Sequence, residues 1–67
     1  MAVMKTIEVM SESSKSFEDA IQAAVTRTAK TVKNIKSANV KNMKTSIKDN
    51  KIAKFRVNVK ITFEVGE

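Results

Sequence analysis

Six apolar residues, Phe55, Val57, Val59, Ile61, Phe63 and Val65, alternate without a break with Lys54, Arg56, Asn58, Lys60, Thr62 and Glu64. Successive side chains of a strand point to opposite faces, so this stretch reads as an antiparallel strand with one face buried and the other wet. Running from Ile52 to Val65, such a strand would extend about 45 Å at ~3.3 Å per residue. A compact chain of 67 residues has a diameter of only about 28 Å. The strand must therefore bend or overhang. An overhang exposes an unpaired edge and an apolar face, and a second copy of the same chain is the least costly cover. The length mismatch predicts an obligate homo-oligomer.

The remaining segments supply partners for that strand. Val3, Ile7 and Val9 mark a first strand from Ala2 to Met10, with Lys5 interrupting its period of two. Ser11, Ser13, Ser14 and Ser16 follow, hydroxyls that compete for nearby backbone donors and so favour a helix start, with Ser14 or Ser16 as the N-cap. The helix is expected from Ser16 to Asn34. Glu18 and Asp19 fall in its first turn and Lys30 and Lys33 in its last, matching the helix dipole at both ends. Phe17, Ala20, Ile21, Ala24, Thr28, Thr31, Val32 and Ile35 recur at spacings of three and four and define one face. That face is shallow at Ala20 and Ala24, which suits packing on a sheet. A weaker strand from Lys36 to Ile47 changes phase between Val40 and Met43, as a β-bulge would make it. Lys48-Asp49-Asn50-Lys51 is the turn, because Asp and Asn tolerate the left-handed conformation of a tight hairpin. The expected fold is α+β, a single β-α-β-β domain over residues 1–67.

Composition excludes several functions. The chain has no Cys and no His, which removes disulfides, the common zinc ligands and the commonest general base. Its only glycine is Gly66, so no phosphate-cradling glycine loop can be written. Apolar runs such as Met1-Ala2-Val3-Met4 fall far short of the ~20 residues of a membrane helix. The start of the sequence lacks the basic and apolar regions of a signal peptide, and a cytoplasmic location is the default expectation. The serine cluster reads as caps rather than nucleophiles, and the only nucleophile and base pairs on offer are Ser with Lys, such as Ser14 with Lys15. Glu8 and Glu64 are the only candidates for a carboxylate cluster between strands. No enzyme is expected.

Several segments together resemble the dodecins, small flavin-binding proteins of bacteria and archaea. They are Ser13-Ser14 before the helix, Ser16-Phe17, Ala20-Ile21, the stretch from Arg27 to Val32, the Asp49-Asn50 turn, and Phe55-Arg56-Val57 leading into Lys60-Ile61-Thr62-Phe63-Glu64-Val65. The resemblance implies a three-stranded antiparallel sheet wrapped around one helix, and a hollow homododecamer of tetrahedral symmetry. In flavin-binding dodecins a Trp early in the second strand stacks on the isoalloxazine, and a Gln early in the third hydrogen-bonds its polar edge. Laid along this chain without gaps, those positions fall on Ser37 and Arg56. The resemblance thus implies a cofactor-binding site at Ser37 and Arg56 for a flavin, whether riboflavin, FMN or FAD, with coenzyme A as a further candidate. Ser37 lacks an aromatic face and Arg56 is a donor only, so standard flavin binding is expected to be weakened.

Thirteen Lys and Arg against seven Asp and Glu give a net charge of +6, and the alternative function is non-specific binding of polyanions, nucleic acid or phosphate ligands. Lys36, Lys41, Lys44, Lys48, Lys51 and Lys54 gather around the hairpin. Without Trp or Tyr, and with three Phe that the strand and helix phases send inward, no platform for stacking bases remains, so specific nucleic-acid recognition is not expected. The expected function is storage or sequestration of a small aromatic or phosphate-bearing ligand in a dodecameric cage.

Overall fold

The computed structural model describes residues 2–66 and contains β1 (Met4–Ser13), α1 (Phe17–Thr28), β2 (Ile35–Lys48) and β3 (Lys51–Glu64), in the expected β-α-β-β order. The strands form one antiparallel sheet ordered β1-β3-β2, so the alternating strand is the central one. Position accounts for its clean pattern. Neighbours on both edges and a helix over one face leave Val57, Val59 and Ile61 fully buried, while weaker patterns suffice for the edge strands. Ile7 and Val9 of β1 and Ala38 and Val40 of β2 stand opposite Ile61 and Val59 on the same face. Ala20 and Ala24 of α1, both buried, complete the core, with Phe17, Ile21, Val25 and Ile35 packed around it. Phe17 meets Phe55 edge-on, ring centroids 5.1 Å apart, and closes one end.

The serines divide their work. Ser16 is the N-cap: its backbone is extended and its Oγ accepts the Asp19 N–H at 2.9 Å. Ser13 is buried, donates its hydroxyl to Asp19 Oδ2 at 2.6 Å and accepts the Lys15 N–H at 2.9 Å. Ser14 plays neither part.

Element boundaries differ from the sequence reading, by one residue at each end of β2 and β3, and β1 begins at Met4 rather than Ala2. β1 continues past Met10, because Ser11, Glu12 and Ser13 pair with Val57, Arg56 and Phe55. α1 ends at Thr28 rather than Asn34: the Thr31 and Val32 N–H groups both reach the Thr28 carbonyl, and Asn34 at φ 64° turns the chain so that Ile35 can pair with Phe63. Lys30 and Lys33 therefore lie beyond the helix, Arg27 is the cation of its last turn, Thr31 is exposed, and Ile35 belongs to β2. Val65 lies past the end of β3 and is exposed. The hairpin matches expectation. Asp49 and Asn50 take φ values of 53° and 64° between the paired Lys48 and Lys51, and the β2 register shifts between Val40 and Asn42. Further register shifts lie between Ile35 and Ser37 and between Ser46 and Ile47.

The chain measures 51 × 19 × 13 Å, with a radius of gyration of 13.7 Å, against about 11 Å for a compact chain of this length. The long strand overhangs rather than bends. Phe55 is the last β3 residue that β1 reaches, so the tip of the β2-β3 hairpin projects as a bare two-stranded ribbon.

Candidate functional site

The face of the sheet away from α1 is polar, built from the residues that alternate with the core. Paired positions bring Thr6, Thr62 and Ser37 into one row, Glu8, Lys60 and Asn39 into the next, and Glu12, Arg56 and Lys44 into a third. Thr6 and Thr62 share a hydroxyl hydrogen bond of 3.0 Å. Glu8 accepts the Asn58 amide at 2.7 Å and lies 3.5 Å from Lys41 Nζ. The Asn58 hydrogen bond, aided by Lys41 and Lys60, holds its carboxyl below the usual carboxylate range. Lys36 and Glu64 pair at 3.7 Å.

Arg56 projects onto this face as its phase requires, but its guanidinium is engaged. Its Nε donates to Glu12 Oε2 at 2.8 Å and a terminal nitrogen donates to the same oxygen. The hydrogen bonding and charge of Arg56 in turn hold the Glu12 carboxyl below its ordinary value. A first strand ending at Met10, as the sequence pattern predicts, leaves out Glu12 and its place opposite Arg56. A strict alternation carried on through Ser11 and Ser13 would have exposed it.

Ser37 is exposed and sits opposite Thr62. Ser37 and Arg56 thus share a face yet are separated by six residues along β3, from Thr62 to Arg56, or about 20 Å. Within one chain they are not brought together. Glu8 and Glu64 are also apart: Glu64 stands opposite Met4 and Glu8 opposite Lys60, about 13 Å along the strand. Among the described residues no three acidic side chains gather as a metal site would need, and no helix is long and apolar enough to cross a membrane.

The sequence profile of one protein family, Dodecin, matches residues 3–66. The chain belongs to the dodecin family. Among solved structures, an arginine-to-alanine variant of T. thermophilus dodecin superposes with a TM-score of 0.94 at 28% identity, all of both chains being covered. Dodecin from Streptomyces davaonensis has the same fold, with a TM-score of 0.93 at 21% identity over 98% of this chain and 97% of that one. A calcium dodecin from Mycobacterium tuberculosis, described as having a novel calcium-binding site, is similar at 28% identity and a TM-score of 0.82, covering 96% and 91% of the two chains. No curated protein matches. A tryptophan-to-phenylalanine variant is known for the T. thermophilus dodecin, so that protein carries a residue type this chain lacks altogether.

Proposed function

We propose that this dodecin forms a homododecameric cage that stores or sequesters a small aromatic or phosphate-bearing ligand without chemical turnover. Its site would be formed where copies bring Ser37 and Arg56 together. The distance of about 20 Å between these positions along β3 carries this reading, since a single chain cannot present both to one ligand. The overhanging hairpin supports it as well, because a compact monomer would not leave so much surface bare.

For flavins the proposal is weak binding. Ser37 offers a hydroxyl where a stacking ring is needed, which forfeits roughly 1–3 kcal/mol if stacking of bases on aromatics is a fair guide. Arg56 accepts no hydrogen bond, and Glu12 already takes two of its five donors. The two positions do not fit the flavin site of a Trp-bearing relative. A phosphate-bearing ligand, flavin mononucleotide or coenzyme A, suits the basic chain better than neutral riboflavin.

Titrating riboflavin and following fluorescence quenching tests the reading. The parent should bind more weakly than Ser37→Trp/Arg56→Gln by about 2–4 kcal/mol if the losses add. Tight riboflavin binding by the parent, unchanged by salt, would overturn it. Quenching by no ligand in either protein, together with salt-sensitive retention of any polyanion, would favour the polyanion reading.

A further inference from the structure

The polar face of the sheet carries three carboxylates, and each has a cation: Glu64 with Lys36 at 3.7 Å, Glu8 with Lys41 at 3.5 Å, and Glu12 with Arg56. Lys60 lies on the same face, is exposed, and belongs to none of these pairs. The acid opposite it on β1 is Glu8, which already accepts the Asn58 amide and pairs with Lys41. Both lysines help to hold the Glu8 carboxyl below the usual carboxylate range. Two cations thus act on one carboxylate, and this part of the face keeps an excess of positive charge.

One row along from Lys60, the three strands place a hydroxyl each: Thr6, Thr62 and Ser37. Directly paired side chains of a sheet stand about 5 Å apart and diagonal ones about 7–8 Å, within reach of a long side chain. Lys60 is diagonal to Ser37 and directly opposite Asn39. Thr6 and Thr62 share one hydrogen bond of 3.0 Å, and whichever hydroxyl donates, the other keeps its own hydrogen for a further acceptor. Ser37 and Asn39 are both exposed and add a hydroxyl and an amide donor. A threonine hydroxyl, the Ser37 hydroxyl, the Asn39 amide and the Lys60 ammonium therefore converge on one face of a single chain, with the neighbouring carboxylates already paired. Arg56 is the less available cation, because two of its donors are on Glu12.

We infer that the hydroxyl row of Thr6, Thr62 and Ser37, together with Asn39 and Lys60, is a phosphate subsite. The hydroxyls and the amide donate to the phosphate oxygens, and Lys60 supplies the opposite charge. Hydrogen bonds to an ionised acceptor are the stronger kind, so several modest donors on an exposed face suffice for an anion where they would not for a neutral ring. The inference rests on the proposed ligand reading and gives the phosphate of that ligand a place, away from Arg56 and complete within one chain.

Calorimetric titration with pyrophosphate at low salt probes the subsite without a flavin. Lys60→Met should weaken binding about tenfold, the loss expected for a hydrogen bond to a charged group. Ser37→Ala should weaken it severalfold, and Lys60→Arg should retain most of it. Lys54→Met removes the same charge from an exposed position on the ribbon, opposite Ser46, and should change little. Lys60 and Ser37 are exposed, so circular dichroism of the variants should stay that of the parent. Equal weakening by Lys60→Met and Lys54→Met would mean that only overall charge matters and would overturn the inference. So would a parent that does not bind pyrophosphate. Fluorescence titrations with flavin mononucleotide and riboflavin separate the subsite from the reading it rests on. A preference for the mononucleotide that Lys60→Met abolishes supports both. A preference that survives Lys60→Met, or equal binding of the two flavins, would overturn the subsite. Lys60-dependent binding of pyrophosphate by a protein that quenches neither flavin would leave the subsite standing and defeat the flavin part of the proposed function.

Discussion

At the scale of single residues, the decisive contact is Arg56 with Glu12, because it determines what the proposed ligand position at Arg56 can do. A guanidinium that already donates two hydrogen bonds to one carboxylate has less to offer a phosphate. Removing the charge of the partner should release it. Glu12→Gln is therefore expected to strengthen flavin mononucleotide binding severalfold at low salt, with riboflavin little changed, as measured by fluorescence titration. The same pair sets a pH dependence. The Glu12 carboxyl titrates below its ordinary value of 4.5 in the folded chain, chiefly through its hydrogen bond from Arg56, so at that pH the unfolded state holds more protons. Its stabilising contribution is fully present above pH 4.5 and is lost as the pH falls through the lower folded value. Melting temperatures recorded below pH 4.5 should thus fall less steeply for Glu12→Gln than for the parent, and equal slopes would show the pair to be inconsequential. Glu8, held down by Asn58 and Lys41, acts in the same window and accounts for acid sensitivity that remains.

At the scale of elements, the hairpin turn is the cleanest case of sequence dictating backbone. Asp49 and Asn50 both sit at positive φ, where a β-branched side chain crowds its own carbonyl. Asn50→Val should cost about 1–2 kcal/mol, seen as a lower urea midpoint, whereas Asn50→Gly should be neutral or stabilising. A Val variant as stable as the parent would show that the turn relaxes to another form. The turn was legible because its requirement is local, and β3 was legible because it is buried on one face along most of its length. The end of α1 was not. Thr31, Val32 and Ile35 keep helical spacing and no Gly or Pro intervenes, so nothing local stops the helix at Thr28. The stop comes from the pairing of Ile35 with Phe63 across the sheet, a tertiary demand that propensity does not encode. The same reason hid the last residues of β1 and with them Glu12, so Arg56 could be placed on the polar face while the partner that engages it could not.

At the scale of the whole molecule, surface area and shape agree that one chain is not a finished object. Its accessible surface is 5143 Å², where a compact monomer of 7.4 kDa would expose about 4200 Å². Its buried apolar core consists, among the described residues, of Ala20, Ala24, Val57, Val59 and Ile61, and Met43, Ile47 and Ile52 remain bare on a ribbon that none of the described residues covers. A core of that size sits at the lower edge of independent stability. Association must therefore supply part of the folding free energy, and stability then depends on concentration by mass action. The melting temperature should rise as the protein is concentrated at fixed pH and salt, and light scattering below the transition should report a mass near twelve chains. Dilution should favour unfolding rather than release of folded monomers, so circular dichroism and particle mass should be lost together. A melting temperature independent of concentration, measured on a folded species of single-chain mass, would show that the helix and sheet are stable alone and that the overhang needs no cover.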